Sequence, residues 1–256
     1  MRKKDQLVPM IFGWGLFAVG LILTGITRGN AIAEGAGSQQ KLLFSLSLVC
    51  ALAGLLIGIA PLLPRREVSP RQLAQAALLA ALSFVGFMFF KIDIPVGNDK
   101  TAFHLGNVFC VLGALLLGGF WGGAAGAVGM TLADFMTGYV TSAPKTFLLK
   151  FAIGMIVGLI AHGAFKLSHD KSAKTLTWQT ALAATAGMAF NTVADPVVGY
   201  FYKTYVLGQP QDAAKVLAKM AAVTTFVNSV VAVLTATVLY LALRPALKKA
   251  RLYTEL

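Results

Sequence analysis

Apolar runs of about 20 residues, the length a helix needs to cross some 30 Å of hydrocarbon, recur along this chain with short polar breaks between them. Eight such spans are predicted, at 9–27, 43–63, 72–90, 104–121, 122–140, 146–167, 178–201 and 220–243. The break between the fourth and fifth lies in "LGGFWGGAAG" and carries no charge. The run from Phe103 to Val140 is too long for one crossing, and clustered glycines permit a tight reversal. "PLLPRREVSPR", with its prolines and arginines, separates the first two spans from the other six. The expected organisation is an N-terminal helical pair (1–64), a linker (65–71) and a six-helix domain (72–256).

Composition agrees with the pattern. Of 256 residues, 57% are hydrophobic and 12% charged, which places the chain among multi-pass, all-α integral membrane proteins. The formal charge of +12 does not point to nucleic acid, because the cations lie in short clusters between apolar runs. They read as topology signals. With the N-terminus in the cytoplasm, one side receives Arg2, Lys3, Lys4; Arg65, Arg66, Arg71; Lys166, Lys171, Lys174; and Arg244, Lys248, Lys249, Arg251. The other side keeps scattered cations such as Arg28, Lys41, Lys91, Lys100, Lys145, Lys150 and Lys203, with Glu34, Asp93, Asp99 and Asp212 among them. Both termini are therefore expected in the cytoplasm, and the chain in the cell membrane. "MRKK" before an apolar run and "AIA" at 31–33 resemble a signal peptide, but the run is long for a signal core and is read as a span. Cys50 and Cys110 match no metal or disulfide spacing and are expected to pack.

Once orientation is set, each polar residue within a span acquires a depth. Asp134 in "GMTLADFMTGYV" sits about two turns from the outer end of the fifth span. His104 and Asn107 begin the fourth, Lys150 lies near the start of the sixth, Asn191 and Asp195 share a face of the seventh, and Asn228 is about two turns into the eighth. Polar groups in hydrocarbon normally face the bundle interior or a cavity. Their shared depth predicts one outward-facing pocket, with Tyr139 beside it and Phe103, Phe190, Tyr200 and Tyr202 near enough to stack on a flat ligand. Simpler readings stand beside this: Asp134 paired with Lys150, Asp195 answering a backbone group freed by Pro196, Asn228 bonding between helices, and Lys145 snorkelling to headgroups. "AQAALLAALSF" sets Ala76 with Ala80 and Ala77 with Ala81 at four-residue spacing, a surface that permits close helix approach in lipid. No GxxxxGK[ST], HExxH or GxSxG occurs. Uphill transport would draw on a partner or an ion gradient, and no cofactor or enzymatic constellation is expected.

Residues 79–160 carry a resemblance. The alanine-rich helix, "KIDIP" leading to "FHLGN", the "ALLLG" run, the glycine-rich turn, "LADFMTGY" and "APKTFLLKFAIGMIVG" follow in order. The chain resembles the substrate-binding S component of energy-coupling factor (ECF) transporters, most closely the branch associated with hydroxymethylpyrimidine, pyridoxine and riboflavin. The resemblance implies a six-helix bundle that captures a vitamin-like molecule from outside, beneath a lid here matching Lys91 to Thr101. It implies docking through an alanine motif, at Ala77 and Ala81 with Ala76 and Ala80 beside them, on a transmembrane coupling (T) subunit bound to two cytoplasmic ATPases. The helical pair before residue 65 departs from the six-helix pattern. His104, Asn107, Asp134, Tyr139, Lys150, Asn191, Asp195 and Asn228 are the expected substrate contacts, and their chemistry favours a small hydrogen-bonding heteroaromatic such as hydroxymethylpyrimidine. The alternative is an autonomous secondary carrier with Asp134 or Asp195 relaying protons.

Overall fold

A computed structural model describes residues 4–33, 35–59 and 69–253. Arg2, Lys3, Glu34, Arg65 and Arg66, and the proposed boundary at 64/65, lie outside them. Eight α-helices follow one another among the described residues, in the predicted order: α1 Lys4–Ile32, α2 Ser38–Ile59, α3 Pro70–Met88, α4 Gly106–Leu117, α5 Gly119–Met136, α6 Ala143–Gly158, α7 Ala173–Phe201 and α8 Gln211–Lys249. Single π-helical turns, Leu159–Ala164 and Tyr202–Val206, extend α6 and α7. Local chemistry sets several starts. Ser69 caps α3 by accepting the Gln72 N–H at 3.1 Å with Pro70 in the first turn, and Ser172 caps α7 by accepting the Thr175 N–H at 3.3 Å.

Among the described residues, five helical stretches are long and apolar enough to cross a membrane: Leu7–Ile32, Ser38–Gly58, Pro70–Met88, Val140–Ala164 and Gln211–Lys249. The fourth predicted span is corrected. α4 has 12 residues, about 18 Å at 1.5 Å per residue, and cannot cross hydrocarbon alone. Of the predicted span, His104 ends the second strand of a β-hairpin, β1 Lys91–Val96 paired antiparallel with β2 Asp99–His104, and residues 119–121 open α5. Gly97, at φ +60, takes the first central position of the two-residue turn, as a type II′ hairpin requires. Pro95 is tolerated because each strand of a two-stranded sheet is an edge. The far reversal falls on one residue, Gly118, at φ 84 and ψ 171, a region only glycine enters freely.

Lipid supplies no hydrophobic drive between helices, so close backbone contact has to hold them together. A Cβ on Gly122 would lie 2.1 Å from the Ala114 nitrogen, one on Gly154 2.2 Å from the Gly123 Cα, and one on Gly129 2.1 Å from the Ala80 carbonyl oxygen. Glycine thus lets α5 lie directly against α4, α6 and α3. The main core, with Leu112, Leu115, Ile153, Val157, Met188 and Tyr240, fills the half of the bundle away from the hairpin. α1 and α2 pack tightly on each other, and α2 rests against α6. Cys110 is buried, Cys50 is half-buried, and both are free thiols.

Candidate functional site

Below the hairpin the apolar filling gives way to a small cavity of about 90 Å³ that is partly open to solvent. All eight predicted contact residues line it: His104 from the end of β2, Asn107 from the first turn of α4, Asp134 from α5, Tyr139 from the α5–α6 connection, Lys150 from α6, Asn191 and Asp195 from α7, and Asn228 from α8. Five helices and one strand therefore deliver polar groups to the same space.

These groups differ in what they already hold. Asp195 is fully engaged, accepting from Lys145 at 2.8 Å and from the Thr225 hydroxyl at 2.9 Å. The backbone freed by Pro196 receives nothing from it, and Lys145, expected to snorkel, lines the cavity instead. Asn228 accepts the His104 N–H at 3.0 Å and donates to the Ala102 carbonyl at 3.0 Å. Its amide is a clasp between α8 and the hairpin rather than a bond between helices. Four other polar atoms are buried without a hydrogen-bond partner: Asp134 Oδ2, His104 Nδ1, Asn107 Oδ1 and Asn191 Nδ2. Each such group costs roughly 1–3 kcal/mol relative to a bonded one. Lys150, 6% exposed, reaches Asn191 Oδ1 at 3.4 Å, and no ion pair joins it to Asp134. The cavity thus combines a buried ammonium, a carboxylate with one free oxygen, two amide atoms and an imidazole nitrogen.

Aromatic neighbours match expectation only in part. Tyr139 lines the cavity, joined by Phe87, whose ring meets His104 edge-on at 4.6 Å. Phe103 and Tyr202 do not line it, Phe190 is 37% exposed on the bundle surface, and Tyr200 lines an apolar groove with Pro196 and Phe201. Depth can be read from span position, but the direction a side chain takes around its helix is set by packing. Residues not anticipated include Lys100, Thr101, Ser142, Thr146, Lys203 and Thr225. For Lys100 and Lys203 the signal was pairing with Asp93 and Asp99 of the hairpin, which no local pattern carries. Among the described residues, no group of three or more His, Cys, Asp or Glu side chains gathers as a metal ion would require.

The hairpin closes over this space and is fastened on two sides. On one, Asp93 accepts from Lys91 at 3.1 Å, Lys100 at 3.0 Å and the Tyr139 hydroxyl at 2.8 Å, while Lys100 also donates to the Thr137 carbonyl at 2.9 Å. Both ammonium groups lie over the Tyr139 ring, at 5.1 and 4.5 Å from its centre. On the other, Asp99 pairs with Lys203 and accepts from Gln209 at 3.4 Å, and Thr101 shares a 2.7 Å bond with Thr224. Burial alone would raise both carboxyls. The lysines and the other donors outweigh it, so Asp93 and Asp99 titrate below their ordinary value. Lys203 is pulled below its ordinary value by its own burial despite Asp99, so the pair is held at a desolvation cost.

Residues 67–245, well over half the chain, match the family described as ECF-type riboflavin transporter, S component. The chain belongs to that family. The match begins after α1 and α2, which this S component carries in addition. A curated relative from Pyrococcus woesei, described as an uncharacterized protein in the gap 3′ region, is 36% identical over 72 residues, 28% of this chain and 48% of that protein. The chain thus spans about half the length of that relative. No solved structure matches. On the alanine-rich helix α3 of this S component, Ala77 and Ala81 are exposed, whereas Ala76 is buried in the core and Ala80 packs on Gly129. Of the four alanines expected at a docking face, Ala77 and Ala81 therefore lie on the surface, flanked by the exposed Leu73 and Leu78.

Proposed function

We propose that this chain is the receptor subunit of an ECF-type importer and captures a small hydrogen-bonding heterocycle of the vitamin-precursor class, hydroxymethylpyrimidine being the best fit. The observation that carries this reading is the set of four unpartnered polar atoms, on Asp134, His104, Asn107 and Asn191, around one covered cavity. A flat ring with donors and acceptors on its edge satisfies such a set, with Tyr139 and Phe87 beside its face. The hairpin end faces outward in this reading and serves as the lid. Ala77 and Ala81 meet the coupling subunit, which is joined to two ATPases. The autonomous carrier is less well supported, because a proton relay needs polar groups on both sides of the site. Here the half beyond the cavity is filled by Leu112, Leu115, Ile153, Val157 and Met188.

The test is a titration of the purified protein with hydroxymethylpyrimidine, pyridoxine and riboflavin, followed by calorimetry and thermal shift. One-to-one binding of hydroxymethylpyrimidine, weakened about tenfold or more in Asp134→Ala, is expected, since one lost charged hydrogen bond is worth about 1.5–3 kcal/mol. Binding of riboflavin alone, the vitamin in the matched family's description, would replace the substrate class. Unchanged affinity in a folded Asp134→Ala variant would remove the site as drawn.

A further inference from the structure

The helical pair α1–α2 lies outside the stretch that matches the S component family, yet it touches the machinery that covers the cavity. The contact is made by Arg28, near the end of α1. Its Nε donates to the Val206 carbonyl at 3.0 Å and its Nη2 to the Tyr205 carbonyl at 2.9 Å. Those carbonyls belong to the π-helical turn that ends α7, where main-chain acceptors have no partner further along the helix. The same turn carries Lys203, whose side chain is 5% exposed and grips Asp99 of the hairpin. Two further bonds stiffen the turn, from the Leu207 N–H to the Tyr202 carbonyl at 3.0 Å and from the Gln209 N–H to the Lys203 carbonyl at 2.9 Å. Gln209 also reaches Asp99, and a Cβ placed at Gly208, at φ +67, would meet Ile32 of α1 at 3.9 Å. A continuous chain of contacts therefore runs from α1 through the end of α7 to the hairpin.

We propose that Arg28 is a positioning residue for the hairpin: by holding the main chain at the end of α7 it places Lys203 against Asp99, so the N-terminal pair governs how firmly the cavity is covered. Two forked donors on adjacent carbonyls orient a turn as a single point charge does not. The bland alternative is that Arg28 only fastens α1–α2 to the bundle. That alternative predicts a change in the attachment of the pair and none at the hairpin.

Main-chain hydrogen exchange across residues 91–104 in the ligand-free protein separates the two. Arg28→Ala is expected to speed exchange there about fivefold or more, the effect of losing a charge-assisted bond. Asp99→Asn should do the same, and Arg28→Ala added to Asp99→Asn should contribute nothing further, because both act through one contact. Arg28→Lys, which keeps the charge but not the fork, should recover less than half of the protection and guards against misfolding of the alanine variant. Unchanged hairpin exchange in Arg28→Ala, or full additivity in the double variant, overturns the proposal. Its consequence for a ligand, faster release from Arg28→Ala, rests on the receptor reading, whereas the ligand-free exchange stands or falls without it.

Discussion

Asp134 and Asp195 line the same cavity, but their partners assign them different work. Asp195 has both oxygens bonded, so Asp195→Ala strands the Lys145 ammonium, 13% exposed, at the lower end of about 3–5 kcal/mol. Asp134→Ala removes one oxygen that has no partner together with a single hydrogen bond to Thr146, and its cost to folding is expected at about 1 kcal/mol. Thermal denaturation of the two variants, set beside their ligand titrations, should show the first losing stability and the second losing affinity. Asn228→Ala gives up two bonds to the hairpin main chain and should loosen residues 102–104, His104 of the unpartnered set included, while leaving Asn107, Asp134 and Asn191 in place. The polar residues of the site were legible because each apolar span carries few of them and orientation gives each a depth. Lys145 was not, because its partner Asp195 lies 50 positions away and the sequence holds no mark of that pairing.

At the scale of the element, the hairpin is a titratable structure. Its carboxylates, Asp93 and Asp99, sit below their ordinary value when clasped, so the clasp is at full strength above the ordinary carboxylate range and is lost as pH falls through the depressed values. Hydrogen exchange of residues 91–104 should be flat from neutral pH to about 5 once corrected for intrinsic rates, and should rise below about pH 4. Helix α3 invites a different test. Ala77→Leu enlarges the exposed face without entering the core, and should abolish uptake in cells holding the coupling subunit and ATPases while leaving binding unchanged. Normal uptake would remove Ala77 from the docking face. The order and number of helices were readable from hydropathy, and the lid position from the resemblance. The shortness of α4 was not readable, because the apolar run continues past both ends: only pairing with "KIDIPV" makes His104 the end of a strand, and "GFW" at 119–121 opens α5. The reversal at Gly118 was placed to within a few residues, since several adjacent glycines offered the same freedom.

For the whole molecule, the sidedness argument becomes a labelling experiment. With the hairpin facing outward, Asn98→Cys at its tip should react with an impermeant maleimide in intact cells, and Lys174→Cys in the first turn of α7 only after lysis. The reverse pattern would invert the molecule and place the cavity on the cytoplasmic face. The two sides of the cavity also differ in how they are made. Its cover is held by ion pairs and hydroxyl contacts that exchange with water, whereas α5 meets α4 and α6 backbone to backbone through Gly122, Gly123 and Gly154. Those glycine seams lie behind the cavity rather than in its lining, so they fix how closely the helices stand, while side chains such as Phe87, Met130 and Leu217 set the space between them. Descendants of this protein should therefore acquire new ligands by rewriting the cover, the polar fringe and the lining side chains, while the spacing of the helices behind them stays inherited.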